Sequence, residues 1–274
     1  MLTAATQALL AQARSNSASL CECSLDLGLT QSPVALTATG FIWNGSSYPW
    51  PATPLKDRTI YYWTGTAYAP VSAYLGSLIK LVPTQWGAPT FEIDGIKMLP
   101  TASESPFADA QRKVELVGVR QRQVLDTCGG LGYFAAWCVR RGAARVLSCE
   151  KNPQVLWLRE LNPWSPRPDA VLEVVNAGID THIETLADDA FDVVLHDPPR
   201  FGIAGELYSR QFYAQLARVL RPGGTLFHYT GSPNKLTSGR DVPGEVMRRL
   251  QASGFQARRA LDGILARSVL KSIR

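Results

Sequence analysis

Two short stretches concentrate residue types that can do chemistry. The first reads Val124-Leu125-Asp126-Thr127-Cys128-Gly129-Gly130-Leu131-Gly132-Tyr133. An apolar run delivers an acid into glycines, and a helix-forming run follows. Glycines let the backbone close a tight turn and approach a ligand. The pattern Gly130-x-Gly132-x-x-Ala135 meets a dinucleotide-type fingerprint, which is a weak signal alone. Asp126 stands just before the turn, where a carboxylate can meet a ligand's amine and hydroxyls. Glu150 ends the next apolar run, 18 residues past Gly132, where an acid can accept both hydroxyls of a ribose. The plainer alternative is a tight strand-to-helix turn with a capping Asp.

The second stretch reads Asp192-Val193-Val194-Leu195-His196-Asp197-Pro198-Pro199-Arg200-Phe201. Paired prolines fix the backbone, so the carbonyls of Asp197 and Pro198 point in set directions. Fixed carbonyls and a carboxylate accept the hydrogens of an amino group and leave its lone pair free for attack. Phe201, or the plane of Arg200, offers a stacking surface for a flat base. The alternative is a rigid strand exit with no ligand. His196 and His228 both end expected strands at the same edge. Each is either a catalytic base or a hydrogen-bonded structural histidine, the commoner case. Glu206, Tyr208 and Tyr229 are further candidates for the substrate side.

These residues need elements to position them. From about Asp109 the chain alternates strand and helix. Strands are expected at Val124–Thr127, Arg145–Glu150, Ala170–Val175, Phe191–His196 and Thr225–Tyr229. Helices are expected at Tyr133–Arg141, Gln154–Leu161, Glu206–Leu220 and Val242–Ala252. Two last strands, Phe255–Ala260 and Ile264–Leu270, meet near Asp262-Gly263. This order predicts an α/β, Rossmann-like parallel sheet with an antiparallel hairpin at one edge. Residues 20–105 have another texture, rich in Thr, Ser, Pro, Gly, Trp and Tyr. Short β-type runs recur there: Val34–Thr37, Gly40–Trp43, Thr59–Trp63, Tyr74–Val82 and Phe91–Ile93. Asn44-Gly45 and Asp94-Gly95 are hairpin signals. A leading helix is expected at Leu2–Ala13, and Leu99–Pro106 reads as an exit linker. The expected organisation is a small β-rich domain at 1–107 and a ligand-binding domain at 108–274.

Composition bounds the rest. The chain has 274 residues, 46% apolar and 19% charged, which excludes wholesale disorder. No apolar run approaches a membrane span, and the start lacks the basic region of a secretory signal, so a cytoplasmic protein is expected. Five cysteines, Cys21, Cys23, Cys128, Cys138 and Cys149, fit no paired metal knuckle and read as free thiols. No metal is expected. The net charge is +5, and the positive charge is concentrated in residues 111–274, which hold 23 Lys and Arg against 16 Asp and Glu. A basic face suggests a polyanion such as RNA, while scattered solvated arginines give the same count. The N-terminal Trp and Tyr residues offer either a base-stacking surface or, more commonly, a small core.

Together the two stretches resemble the class I methyltransferases that use S-adenosylmethionine. Asp126 through Gly132 is similar to the family's Asp-x-(Gly/Cys)-x-Gly-x-Gly loop, with Cys128 where many members have glycine. Glu150 matches its ribose-binding acid. Asp197-Pro198-Pro199 matches the (Asp/Asn)-Pro-Pro element of amino methyltransferases. The usual aromatic fourth residue is here Arg200, with Phe201 one step later. A closer resemblance covers almost the whole chain. It is to archaeal-type methyltransferases related in fold to spermidine synthases. Ser24-Leu25-Asp26-Leu27-Gly28-Leu29, Glu92–Met98, Leu131-Gly132-Tyr133 and Leu161-Asn162-Pro163-Trp164-Ser165 carry it. So do His196–Phe201, Ala204–Ser209 and Leu226–Gly231.

The resemblance implies S-adenosyl-L-methionine as cofactor, held by Asp126, Cys128, Gly130, Leu131, Gly132, Tyr133, Glu150 and Asn176. Asp180 competes with Asn176 for the place near the adenine. Asp197, Pro198, Pro199 and Phe201 become the catalytic set. The implied substrate is an exocyclic amine in RNA, N4 of a cytidine in ribosomal RNA being one candidate. The alternatives are methyl or aminopropyl transfer to a small polar metabolite, a dehydrogenase using the same glycine turn, and a non-catalytic RNA-binding protein.

Overall fold

The computed structural model describes residues 1–231 and 241–269; Leu270, the last residue of the expected final strand, lies outside the described residues. The chain divides into two units, one of residues 1–108 with Trp157–Trp164, the other of residues 109–156 with 165–274.

The first unit opens with helix α1 (Ala4–Ser15), which starts later than expected because Thr3 caps it, accepting from the Thr6 N–H at 3.1 Å. Leu2 is left to bridge Tyr61 through backbone hydrogen bonds. One antiparallel sheet holds β1 (Leu20–Cys23), β2 (Ser32–Leu36), β3 (Gly40–Trp43) and β4 (Ser46–Pro49). A two-stranded ribbon holds β5 (Tyr61–Trp63) and β6 (Tyr68–Pro70). A second four-stranded sheet holds β7 (Ser72–Tyr74), β8 (Leu78–Val82), β9 (Thr90–Ile93) and β10 (Ile96–Lys97). Asn44-Gly45 and Asp94-Gly95 each turn a hairpin with positive φ at both residues, as a two-residue type I′ loop requires. The single run expected at Tyr74–Val82 is two strands, broken at Gly76, whose φ is +83°. Leu2, Leu10, Cys23, Leu25, Val34 and Phe41 form the core, with Trp43, Tyr48, Trp50, Tyr61 and Tyr68 packed on it. Those aromatics therefore serve as core.

Helix α2 (Pro106–Val117) occupies a segment for which the sequence suggested only the end of a linker. Its proline sits at the first helical position, where a missing N–H costs nothing. Phe107, Ala110, Val114 and Val117 recur at helical spacing and are buried. Then follow β11 (Gln123–Asp126), α3 (Tyr133–Arg140), β12 (Arg145–Glu150), α4 (Pro153–Leu161), β13 (Leu172–Asn176), the short α5 (Ile179–His182) and β14 (Phe191–His196). After them come α6 (Arg210–Val219), β15 (Leu220–Tyr229), α7 (Val242–Ala252), β16 (Phe255–Ala260) and β17 (Gly263–Ser268). The sheet order is β13-β12-β11-β14-β15-β17-β16. The first five strands are parallel, and β17 and β16 pair antiparallel at the edge.

The helix expected at Glu206–Leu220 is a 3-10 turn at Gly205–Tyr208 followed by α6, because Ser209 caps a new start by accepting from Phe212 N at 3.0 Å. Strand β15 begins five residues early and carries Pro222 where its register with β14 shifts. Gly263 is needed where β17 passes β15, since a Cβ there would collide with the His228 carbonyl. Strand order reverses between β11 and β14. In open α/β sheets the ligand crevice lies at the carboxyl ends of such a pair.

Candidate active site

The loop after β11 is shaped by its glycines. Gly130 and Gly132 have φ of +49° and +78°, and Gly132 starts α3 without a side-chain cap. The Gly129 N–H reaches Cys149 O at 2.7 Å, and the Gly132 N–H reaches Gly129 O at 2.7 Å. Asp126 is fully buried at the strand end, where Ser148 Oγ donates to its Oδ2 at 2.8 Å. Glu150, at the end of β12, accepts from Gly130 N at 2.9 Å and from Asn152 N at 2.8 Å. The acid thus braces the turn with one oxygen and the next loop with the other. Asn176, opposite Glu150 in the sheet, donates to the Glu150 and Lys151 carbonyls at 2.8 and 3.0 Å. Leu131 and Tyr133 are buried. The Cys128 thiol is pushed well above its ordinary range, first by burial and then by the Glu150 charge, so it stays protonated.

The loop after β14 is shaped by its prolines. Asp197 is half-buried, and burial pushes its carboxyl up to about 7, although the Lys113 ammonium pulls the other way. Pro198 is buried and Pro199 is exposed. Tyr208 Oη donates to Pro199 O at 3.0 Å, which anchors the loop. Phe201 meets the Tyr208 ring edge-on at 5.4 Å, and the Arg249 guanidinium lies 5.8 Å from the Phe201 ring. Arg249 also donates to Tyr208 O at 2.8 Å. Phe201 and Ile203 are 36% and 63% exposed, so this rim is open to a partner.

The two loops meet. Asp126 pairs in register with Leu195, and Thr127 N donates to Leu195 O at 3.0 Å. Asp126 and Asp197 therefore leave adjacent strands at the same end. Thr127 Oγ1 lies 2.7 Å from His196 Nδ1, while His196 Nε2 lies 3.2 Å from Leu207 O. A carbonyl only accepts, so Nε2 carries the proton and Nδ1 accepts from Thr127. His228 is the mirror case. Its Nδ1 donates to Tyr229 O at 2.8 Å, and its Nε2 accepts from Tyr213 Oη at 2.9 Å. Burial drives both histidines below their ordinary pKa, His228 to about 4. Both are fully buried, neutral and bonded at both nitrogens, so they have no nitrogen left for a substrate; His196 ties the β11 loop to the turn after β14, and His228 ties β15 to α6.

Glu206 is exposed on the 3-10 turn, and Tyr229 is half-buried. The residue that sequence reasoning missed is Lys113. Its side chain is 1% exposed, and its Nζ lies 2.6 Å from Asp109 Oδ2 and 3.1 Å from Asp262 Oδ2. The Asp109–Lys113 spacing of four residues is a helix-pair signal that was available in the sequence. The basic doublets Arg112-Lys113, Arg140-Arg141, Arg248-Arg249 and Arg258-Arg259 are partly spent locally: Arg112 pairs with Asp109, Arg141 with Glu115, Arg249 with Glu245 and Arg259 with Asp241. All five cysteines are free thiols, and among the described residues no cluster of His, Cys, Asp and Glu could hold a metal ion. No helix among them is long and apolar enough to cross a membrane.

Comparison with known proteins agrees with this geometry. Residues 125–228 match the methyltransferase domain family. An uncharacterized protein of Methanocaldococcus jannaschii is 47% identical over 179 residues, covering 64% of this chain and 61% of that protein. A polyamine aminopropyltransferase of Mycobacterium tuberculosis is 34% identical over 122 residues, covering 41% of this chain and 23% of that protein. The chain thus spans less than two thirds of the length of either curated relative. A spermidine synthase solved with the transition-state analogue AdoDATO superposes with a TM-score of 0.59 at 17% identity, covering 77% of this chain and 78% of that one. The spermidine synthase of Thermotoga maritima gives 0.56 at 17% identity, with 77% of each chain covered. At such identities the likeness is one of fold. Residues 125–228 therefore match a methyltransferase domain, and the fold of the chain is spermidine-synthase-like.

Proposed function

We propose that this chain transfers a methyl group from S-adenosylmethionine to an amine nitrogen seated on Asp197-Pro198-Pro199. The observation that carries the reading is the pair of carboxylates, Asp126 and Asp197, leaving adjacent parallel strands at the point where strand order reverses. The residues fit such a cofactor. Gly130 and Gly132 keep side chains out of the turn, and Asp126 and Glu150 offer acceptors for an amino group and for ribose hydroxyls. Asn176 and Asp180 stand at the neighbouring strand end for the adenine side. When bound, the cofactor supplies an electrophilic methyl on a sulfonium.

The chain's own residues handle the acceptor. The Asp197 carboxylate and the carbonyls of Asp197 and Pro198 accept its hydrogens and aim its lone pair. Pre-set orientation of this kind is worth several kcal/mol, on the order of 7 or more in the best intramolecular cases. An aliphatic ammonium must also lose a proton before it can attack. A carboxyl poised at about 7 is suited to take it near neutral pH.

A small polar amine is the acceptor class that the relatives support first, since two of them bear polyamine aminopropyltransferase and spermidine synthase names. The same likeness admits the decarboxylated donor and aminopropyl transfer. The surplus of carboxylates near the site, Asp109, Asp197 and Asp262 around one lysine, also suits a cationic amine. An exocyclic amine in RNA, such as N4 of a ribosomal cytidine, is the second reading. The exposed Phe201 ring flanked by Arg249 favours it as a stacking platform.

The test offers the purified protein methyl-labelled S-adenosylmethionine, and separately aminopropyl-labelled decarboxylated donor. Each is supplied with a small-molecule extract and with total RNA from cells lacking the protein. Methyl label in amines of the extract supports the first reading, and nuclease-sensitive label in RNA supports the second. Label passing only from the decarboxylated donor replaces methyl by aminopropyl transfer. No label in any arm refutes the proposal.

A further inference from the structure

Helices α6 and α7 pack together, and a cleft of about 380 Å³ opens between them, lined by Arg210, Glu245, Arg248, Arg249 and Ala252. Three guanidiniums against one carboxylate leave the cleft a surplus of two positive charges. Glu245 meets Arg249 at a long 3.6 Å. Arg210 and Arg248 are exposed, and among the described residues neither has an ion-pair partner. A guanidinium cannot shed its charge. Gathering three of them around one acid is therefore unfavourable until an anion joins them. Arg249 is already held in place: it donates to Tyr208 O at 2.8 Å, and its side chain is 35% exposed. Its guanidinium lies 5.8 Å from the Phe201 ring, and Tyr208 in turn donates to Pro199 O at 3.0 Å. Through Arg249 the cleft adjoins the proline loop.

We propose that the cleft between α6 and α7 binds a phosphate group carried by the acceptor, with Arg210, Arg248 and Arg249 as its ligands. The inference rests on the reading of the proline loop as the acceptor's seat. Planar guanidiniums present paired N–H donors that match phosphate oxygens. The donor gives no reason for such a site, since neither S-adenosylmethionine nor its decarboxylated form carries a phosphate. A phosphate bound beside the proline loop therefore belongs to the molecule that receives the group. The exposed Phe201 ring, next to Arg249, offers a flat face on which a base stacks. An acceptor with both a base and a phosphate, which is a nucleotide, meets both features. A free polyamine meets neither, because the three guanidiniums repel it. Of the two acceptor classes named above, the cleft favours the one that carries phosphate.

The test measures binding by the full chain, without cofactor or transfer. A short fluorescein-labelled single-stranded RNA is titrated by fluorescence anisotropy, and nucleoside monophosphates and inorganic phosphate are titrated by calorimetry. The double variant Arg210→Gln/Arg248→Gln changes two exposed side chains and keeps Arg249 and its bond to Tyr208. Its affinity is expected to fall about tenfold or more, with a shallower dependence on salt. The control Arg120→Gln/Arg258→Gln removes the same charge from exposed positions outside the cleft and should stay within about twofold of wild type. Binding of RNA alone, lost in the cleft variant and kept in the control, supports the proposal with a phosphodiester as the ligand. Binding of nucleoside monophosphates with the same pattern supports it with a free nucleotide. Equal losses in the two double variants reduce these arginines to a solvated surplus of charge and overturn the proposal. So does binding of none of the probes, or of inorganic phosphate only, which would be an adventitious ion. The underlying reading fails separately, if wild type passes methyl label to no acceptor or Asp197→Ala passes as much as wild type. The binding results stand in either case.

Discussion

The loops after β11 and β14 lie side by side at one edge of the sheet and are built by opposite means. The first takes its shape from glycines with left-handed φ, the second from prolines with fixed φ. The first spends its acids on its own backbone: Glu150 accepts two backbone N–H groups, and Asp126 accepts the Ser148 hydroxyl. The second leaves its acid without such local support, and burial pushes the Asp197 carboxyl up to about 7. A loop whose carboxylates are held locally is a rigid cradle. A loop whose carboxylate is desolvated is poised to exchange a proton. On this comparison the glycine loop suits the donor and the proline loop the acceptor of the proposed transfer.

Substitutions can break the comparison on either side. The largest effect is expected from Asp197→Ala, which should cut transfer by about 100-fold or more through lost positioning and proton transfer, while calorimetry still finds S-adenosylmethionine bound nearly as in wild type. Gly132→Ala should do the reverse. A side chain at φ +78° costs about 1–2 kcal/mol, so binding by calorimetry should weaken about tenfold. Turnover at saturating cofactor should change less.

The two buried histidines predict a pH dependence of stability. Both histidines have a lowered pKa in the fold, so their contribution is present above 6.5 and is lost as pH falls toward about 4 for His228. Asp197, raised to about 7 from an ordinary 3.8, acts in the opposite sense and gains stability as pH falls through that window. Two groups against one leave a net loss of stability on acidification through this window. Urea unfolding midpoints between neutral pH and about pH 5 measure it. Replacing His228 by Gln should flatten the dependence.

The smallest effect is expected from Tyr208→Phe. It removes the bond to Pro199 O, worth about 1 kcal/mol. KM for the acceptor should rise a few-fold with cofactor affinity unchanged.

Much of this arrangement was legible in the sequence, for a physical reason. Strands buried on both faces read as short apolar runs, and Arg145–Glu150 and Phe191–His196 stand in the fold with the bounds that their composition suggests. Their ends deliver Glu150 and Asp197 directly, so residue type and strand end together drew attention to them. What stayed hidden depends on distant neighbours. Helix α2 was masked by Leu99–Pro106, whose prolines and serines signal a turn, although Pro106 in fact opens the helix. Lys113 reads as half of a basic doublet until Asp262 and Tyr229 are folded against it. His196 and His228 look like bases at strand ends, and only their hydrogen-bond partners reveal them as braces. In the first unit, the run at Tyr74–Val82 concealed a hairpin because Gly76 is flanked by residues that favour strands.

The central claim concerns the atom that receives the group. The most direct measurement incubates the protein with S-adenosylmethionine carrying a deuterated methyl, together with the amine extract and the RNA, and locates the label in the product by fragmentation mass spectrometry. The account predicts a deuteromethyl group on nitrogen, formed by wild type and lost in Asp197→Ala. Label on oxygen or carbon, or undiminished label on nitrogen in Asp197→Ala, would contradict it.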